Sequence, residues 1–120
     1  MYHCNQIEIM NEIIIYIAGP VSGQPDLNRS AFYQAQKQLN ALGFEIRNPH
    51  DFCADIKSED SSDPKYYRRG FQVLAECSDL LLLDGWQYSA GAQVEREAAV
   101  LFKMGIFDSV EDLVRKYSNQ

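Results

Sequence analysis

At 120 residues the chain has the size of one domain. Its 46% hydrophobic and 23% charged residues are the proportions of a globular protein with a substantial core. Seventeen acidic residues against eleven basic ones leave a net charge of −6. That balance argues against a polynucleotide or an anionic membrane surface as partner, because both are held through a cationic footprint. A small anionic ligand remains compatible, since a helix N-terminus can bind phosphate locally through a few free N–H groups.

Cys4, Cys53 and Cys77 are odd in number, widely spaced and form no Cys-x-x-Cys pair. They fit a reducing compartment better than a disulfide framework. The first residues lack the basic-then-apolar pattern of a secretory leader, and no apolar run approaches the ~20 residues that span a bilayer. The expectation is a cytoplasmic protein with no membrane partner.

Residues 1–12 mix polar and apolar types without period and are assigned to an N-terminal extension; residues 13–120 form a single domain. Ile13 to Ile17 is short, continuous and β-branched, as suits a strand buried on both faces. From Asn28, Phe32, Ala35, Leu39 and Leu42 recur at helical spacing, with Asn28 or Asp26 as the cap and Gly43 as the stop. Phe44 to Arg47 predicts a second strand, closed by Asn48-Pro49. The polar stretch from His50 to Pro64 predicts a solvated loop, with a cleft-covering lid as the sharper alternative. A helix is predicted from Pro64 to Cys77, a strand from Leu80 to Asp84 and a helix from Gly91 to Met104, closed by Gly105. A short strand at Ile106-Phe107 and a helix from Val110 to Tyr117 end the chain.

Such alternation implies an α/β fold: a flavodoxin/Rossmann-like three-layer sandwich around a small parallel sheet of four to five strands. Ligands in these sheets sit beyond the carboxyl ends of the strands, where strand order reverses. Two small-residue turns fall at such ends: Ala18-Gly19-Pro20-Val21-Ser22-Gly23 after the first strand, and Trp86 to Gly91 after the third. The second opens a helix with Ser89 and Gly91 and presents Glu95 one turn in, so an anion on the free N–H groups would lie beside a carboxylate. The plainer reading makes Ser89 an N-cap, worth ~1 kcal/mol, and Glu95 a partner of the helix dipole, worth ~0.3–1 kcal/mol. The chain lacks Gly-x-Gly-x-x-Gly after the first strand, a phosphate-binding P-loop and a Gly-x-Ser-x-Gly elbow. His50, Asp51, Cys53 and Asp55 are metal-like in type but clustered on one side without a second ligand group, so no metal site is assigned.

Tyr16-Ile17-Ala18-Gly19-Pro20-x-Ser22-Gly23, Asn28, Phe32 and Gly43-Phe44-x-Ile46-x-Asn48-Pro49 resemble the nucleoside 2-deoxyribosyltransferase-like superfamily. The later Cys77-Ser78-Asp79-Leu80, Leu83-x-Gly85-Trp86, Ser89-x-Gly91-Ala92 and Glu95 fit the same pattern. The branch is that of small deoxyribosyltransferase-like proteins, related to nucleoside 5′-monophosphate N-hydrolases. The resemblance implies cleavage or transfer at the N-glycosidic bond of a nucleoside or nucleoside 5′-monophosphate, with Glu95 as nucleophile. It places a phosphate- or sugar-binding hydroxyl at Ser89, with Gly91 in the same turn. Tyr16, Gly19, Ser22 and Gly23 would line the nucleoside site; Trp86 or Tyr16 would either stack on the base or pack in the core. It implies no cofactor, a small-molecule nucleoside or nucleotide as partner, and a homo-oligomer.

The chain departs from that pattern at Gly70. There the related Tyr-x-Arg-x-Asp sequence carries an aspartate that assists proton transfer, and here the run is Tyr66-Tyr67-Arg68-Arg69-Gly70. Asp84, at a strand end, is the substitute acid/base candidate. The alternative reading is a catalytically impaired nucleotide-binding protein of the same fold.

Overall fold

The computed structural model describes residues 12–118; the assigned extension lies outside them except for Glu12, as does Cys4. Four strands, β1 (Ile14–Ala18), β2 (Glu45–Arg47), β3 (Asp79–Leu82) and β4 (Gly105–Phe107), form one sheet in the order β2-β1-β3-β4. Every pairing is parallel, with Tyr16 opposite Arg47 on one side and Leu80 on the other. The helices are α1 (Arg29–Ala41), α2 (Pro49–Phe52), α3 (Pro64–Leu74), α4 (Ala90–Leu101) and α5 (Val110–Ser118), with 3-10 turns at Pro25–Asn28 and Trp86–Tyr88. The expected α/β three-layer architecture is therefore present.

The pleat of the two central strands divides the core. Ile15 and Ile17 of β1, with Leu81 of β3, pack on Phe32, Ala35 and Leu39 of α1 and Leu113 of α5. Tyr16 and Ala18, with Leu80 and Leu82, face the other way onto Leu74 of α3 and Ala92 and Ala99 of α4. Alternation along a strand sends neighbours to opposite faces, and this places Tyr16 in the layer that holds α3 and α4. Burying each large apolar side chain stabilises the fold by about 1.5–3 kcal/mol.

At the opposite, amino-terminal edge of the sheet, buried Asp79 accepts hydrogen bonds from Ser78 Oγ at 2.9 Å and Tyr117 Oη at 2.7 Å. The Tyr117 bond ties β3 to α5.

Several boundaries differ from expectation. His50 does not begin a continuous loop. Asn48 Oδ1 accepts the His50 N–H at 3.0 Å and Pro49 occupies the first helical position, so one turn of helix, α2, forms before the chain loosens. Neither Asn28 nor Asp26 caps α1. Asn28 Nδ2 instead donates to Pro20 O at 2.9 Å, and Asp26 pairs with Arg29. Asp26, Leu27 and Asn28 all have positive φ, 48°, 53° and 60°, a left-handed run that costs roughly 1–2 kcal/mol per residue without a glycine. The helices α3 and α4 stop at Leu74 and Leu101, three residues short of their expected ends. Among the described residues no helix is long and apolar enough to cross a membrane.

Candidate functional site

The chain leaves β1 outward to β2 and returns past β1 to β3, so the strand order reverses between β1 and β3. The turns after these two strands lie against each other. Leu83 N–H donates to Ala18 O at 2.8 Å, and a Cβ on Gly19 would come within 2.9 Å of Leu83 Cβ. Both small-residue turns thus stand at the switch point, where a parallel sheet offers its ligand crevice.

Beneath them sits a polar pair, the phenol buried and the carboxylate residue partly so. Glu95 lies three residues after Ala92 and four before Ala99, the two buried positions of α4, so helical periodicity turns it toward the sheet. Tyr16, 1% exposed, rises from β1 and donates its phenol hydrogen to Glu95 Oε2. Gly70 of α3 completes the contact. A Cβ there would stand 2.9 Å from Tyr16 Oη and 3.6 Å from Glu95 Oε2. A side chain at this position would displace the phenol, so the missing side chain of Gly70 is what admits the Tyr16–Glu95 pair.

Burial pushes the Glu95 carboxyl up to about 7, with the Tyr16 hydrogen bond acting in the opposite direction. Burial and then the neighbouring carboxylate hold the Tyr16 phenol well above its ordinary range, so the phenol keeps its proton and donates it to the hydrogen bond. A carboxyl balanced near neutrality serves either as nucleophile or as proton carrier at physiological pH. Among the described residues, Cys53 and Cys77 do not compete for that role. Burial raises Cys53, and it pushes Cys77 up to about 12, leaving too little thiolate for nucleophilic work.

The other sequence-derived candidates are distributed around this pair. Ser89 caps α4, its Oγ accepting the Ala92 N–H at 3.2 Å. Gly91 is close to Tyr67, since a Cβ there would meet the Tyr67 ring at 2.9 Å. The half-exposed ring of Tyr67 therefore covers the first turn of α4. Trp86 packs partly buried against the α3–α4 layer, with the Arg96 guanidinium 5.4 Å from its ring centroid. Ser22 Oγ is 2.6 Å from Ser61 Oγ, which brings the acidic loop after α2 against the first turn, and Gly23 turns with a φ of 78°. Asp84 is exposed, and no hydrogen bond or ion pair joins it to Glu95. The metal-like residues are engaged separately: Asp51 accepts from Tyr33 Oη, Asp55 pairs with Arg69, Cys53 is buried, and His50 packs edge-on to Phe32. Among the described residues no three His, Cys, Asp or Glu side chains converge as a metal ion would require.

Two features escaped the sequence reading. One is the space that Gly70 leaves for the phenol; the other is the Tyr67 ring over Gly91. The Ala92, Glu95, Ala99 spacing was a usable signal for an inward-facing carboxylate. Nothing local in the sequence showed that Gly70 would meet Tyr16 across 54 positions of chain.

No curated protein matches the chain. The family model described as a domain of unknown function, DUF4406, matches residues 13–108. That span runs from the start of β1 through β4 and includes Tyr16, Gly70, Ser89 and Glu95. The chain belongs to the DUF4406 family.

Proposed function

We propose that the protein cleaves or transfers at the N-glycosidic bond of a nucleoside or nucleoside 5′-monophosphate, with Glu95 as the nucleophile. The observation that carries this reading is the Tyr16–Glu95 pair. A carboxyl raised toward neutrality stands on the inward face of α4 at the switch point of a parallel sheet. Departure of the base generates an oxocarbenium-like sugar. A close carboxylate traps it as a glycosyl ester, as in retaining glycoside cleavage. Water then releases the sugar, or a second base accepts it. The Tyr16 phenol holds Oε2 and leaves Oε1 for the anomeric carbon.

The resemblance to the nucleoside 2-deoxyribosyltransferase-like superfamily supports the substrate class. Its aspartate position is Gly70 here, and a Cβ there would stand only 2.9 Å from the Tyr16 hydroxyl. The pair is built around the glycine rather than merely lacking an acid. Ser89 and the first N–H groups of α4 are the phosphate anchor in this reading, reached when the Tyr67 ring moves aside. Asp84 would act on the base only through a substrate that bridges to it. A homo-oligomer belongs to the same reading: Tyr88, Val94 and Leu101 are exposed apolar residues at and along α4, with Leu101 80% exposed.

Intact-mass analysis after rapid acid quench tests the mechanism: incubation with a nucleoside monophosphate should add one sugar-phosphate, located by peptide mapping to Glu95. An adduct elsewhere contradicts the assignment. The second reading, nucleotide binding without turnover, is favoured by Gly70, which supplies no proton. It predicts a nucleotide-induced rise in melting temperature with neither adduct nor released base.

A further inference from the structure

We infer that the outer face of α3 carries a second site, independent of Glu95, for a small molecule bearing two or more linked phosphates. The face of α3 opposite Gly70 and Leu74 presents Lys65, Arg68, Arg69 and Gln72 at helical spacing. Together with Asp55, Ile56 and Lys57 they line a concavity of about 420 Å³. Four of the chain's eleven cationic side chains thus line one hollow that contains a single carboxylate. In a protein of net charge −6 this is a local inversion of sign.

One wall of the hollow is fixed in advance. Arg69 Nη1 donates to Phe52 O at 2.7 Å and to Asp55 Oδ1 at 2.8 Å, and Nη2 donates to Asp55 Oδ2 at 3.1 Å. This fork clamps the segment after α2 onto α3 and consumes the charge of Asp55. Lys57, Lys65 and Arg68 are exposed and make no ion pair among the described residues. Asp63, at the edge, is occupied by the Lys65 N–H at 2.9 Å as the cap of α3. Its carboxyl is held below the usual range by that bond, then by Ser58, with smaller contributions from Lys65 and Arg68.

Surplus positive charge therefore remains on a preorganised wall. Preorganisation lowers the ordering cost of binding. The volume exceeds what one orthophosphate needs and falls within the ~300–1,000 Å³ of small-molecule sites. Arginine and lysine together favour phosphate oxygens, arginine by its fork and lysine as a point charge. A long nucleic acid is disfavoured because the cationic surface ends with this face while the remaining chain is acidic.

The test is amide NMR titration of the full chain with inorganic pyrophosphate and, separately, with ATP, at about 0.15 M salt, with orthophosphate for comparison. The expected result is saturable shifts confined to residues 52–57 and 63–72, stronger for pyrophosphate than for orthophosphate. Equal pyrophosphate and ATP affinities would assign recognition to the phosphates alone; tighter ATP binding would show that the hollow also accepts the nucleoside. The double variant Lys65→Ala/Arg68→Ala, whose exposed side chains leave the core untouched, should weaken binding at least tenfold with an unchanged melting temperature. The inference is overturned if neither compound shifts these amides, or if the double variant binds as the wild type does. Shifts confined to residues 89–92 would also overturn it and would place the phosphate at the α4 turn instead. Base release is measured separately, so this site and the Glu95 reading can fail independently.

Discussion

Replacing Glu95 with glutamine should stabilise the protein progressively as pH rises. The carboxyl is raised from its ordinary 4.5 to about 7 because the ionised form is buried. Each pKa unit is worth about 1.4 kcal/mol, so the fully ionised group costs the fold roughly 3 kcal/mol. The folded state binds the proton more tightly than the unfolded chain does. Stability associated with the neutral carboxyl is fully present below about 4.5 and is lost as pH rises through about 7. Glutamine has nearly the same shape, retains an oxygen for the Tyr16 hydroxyl and does not titrate. Its amide group adds a constant offset, so the change with pH is the readout. Urea unfolding of both proteins between about pH 5.5 and 8 should show the stability gap widening by about 2 kcal/mol in favour of the variant. Parallel stability curves over that range would refute a buried, destabilised carboxyl at Glu95.

Two further positions at the site and one far from it give sharp outcomes. Tyr16→Phe removes the one group that lowers the Glu95 pKa; the low-pH limb of catalysis, where release rises as the carboxylate forms, should move to higher pH, and stability should fall by about 1–3 kcal/mol as the carboxyl loses its partner. Gly70→Ala sets a Cβ 2.9 Å from the Tyr16 oxygen; denaturant unfolding should show a loss of about 1–3 kcal/mol from overpacking, and Gly70→Asp should be worse until Tyr16 is shortened to phenylalanine. Gly105→Ala, far from the site, places a Cβ 2.1 Å from Asp79 Oδ1; it should be more damaging to folding than Gly70→Ala while leaving nucleotide chemistry intact in whatever fraction folds, as thermal melts and assays on the folded fraction would record.

The order of strands and helices was legible because its signals are local. Ile13 to Ile17 and Leu80 to Leu83 are short apolar runs, and the helices between them carry their apolar residues three and four apart. The same periodicity gave Glu95 its place near the start of a helix. It did not reveal the depth of the carboxylate, which depends on Tyr16 arriving from one strand and Gly70 from another helix. Caps were less legible. Asn28 has the right chemistry for the start of α1, yet its amide donates to Pro20 O and its backbone is left-handed. Asn48-Pro49 looked like a strand stop and is also a helix start, since proline suits both. Ser89 caps α4 as its residue type allows, a role compatible with anion binding at the same turn.

The most direct test is base release from a panel of nucleoside 5′-monophosphates and nucleosides, comparing the wild type with Glu95→Gln across about pH 5.5 to 8. The account predicts release by the wild type that climbs with pH through about 7, as the carboxylate forms, and none by the folded variant. Release by the variant at the wild-type rate would contradict Glu95 as nucleophile; no release by the wild type from any substrate would contradict the N-glycosidic activity itself.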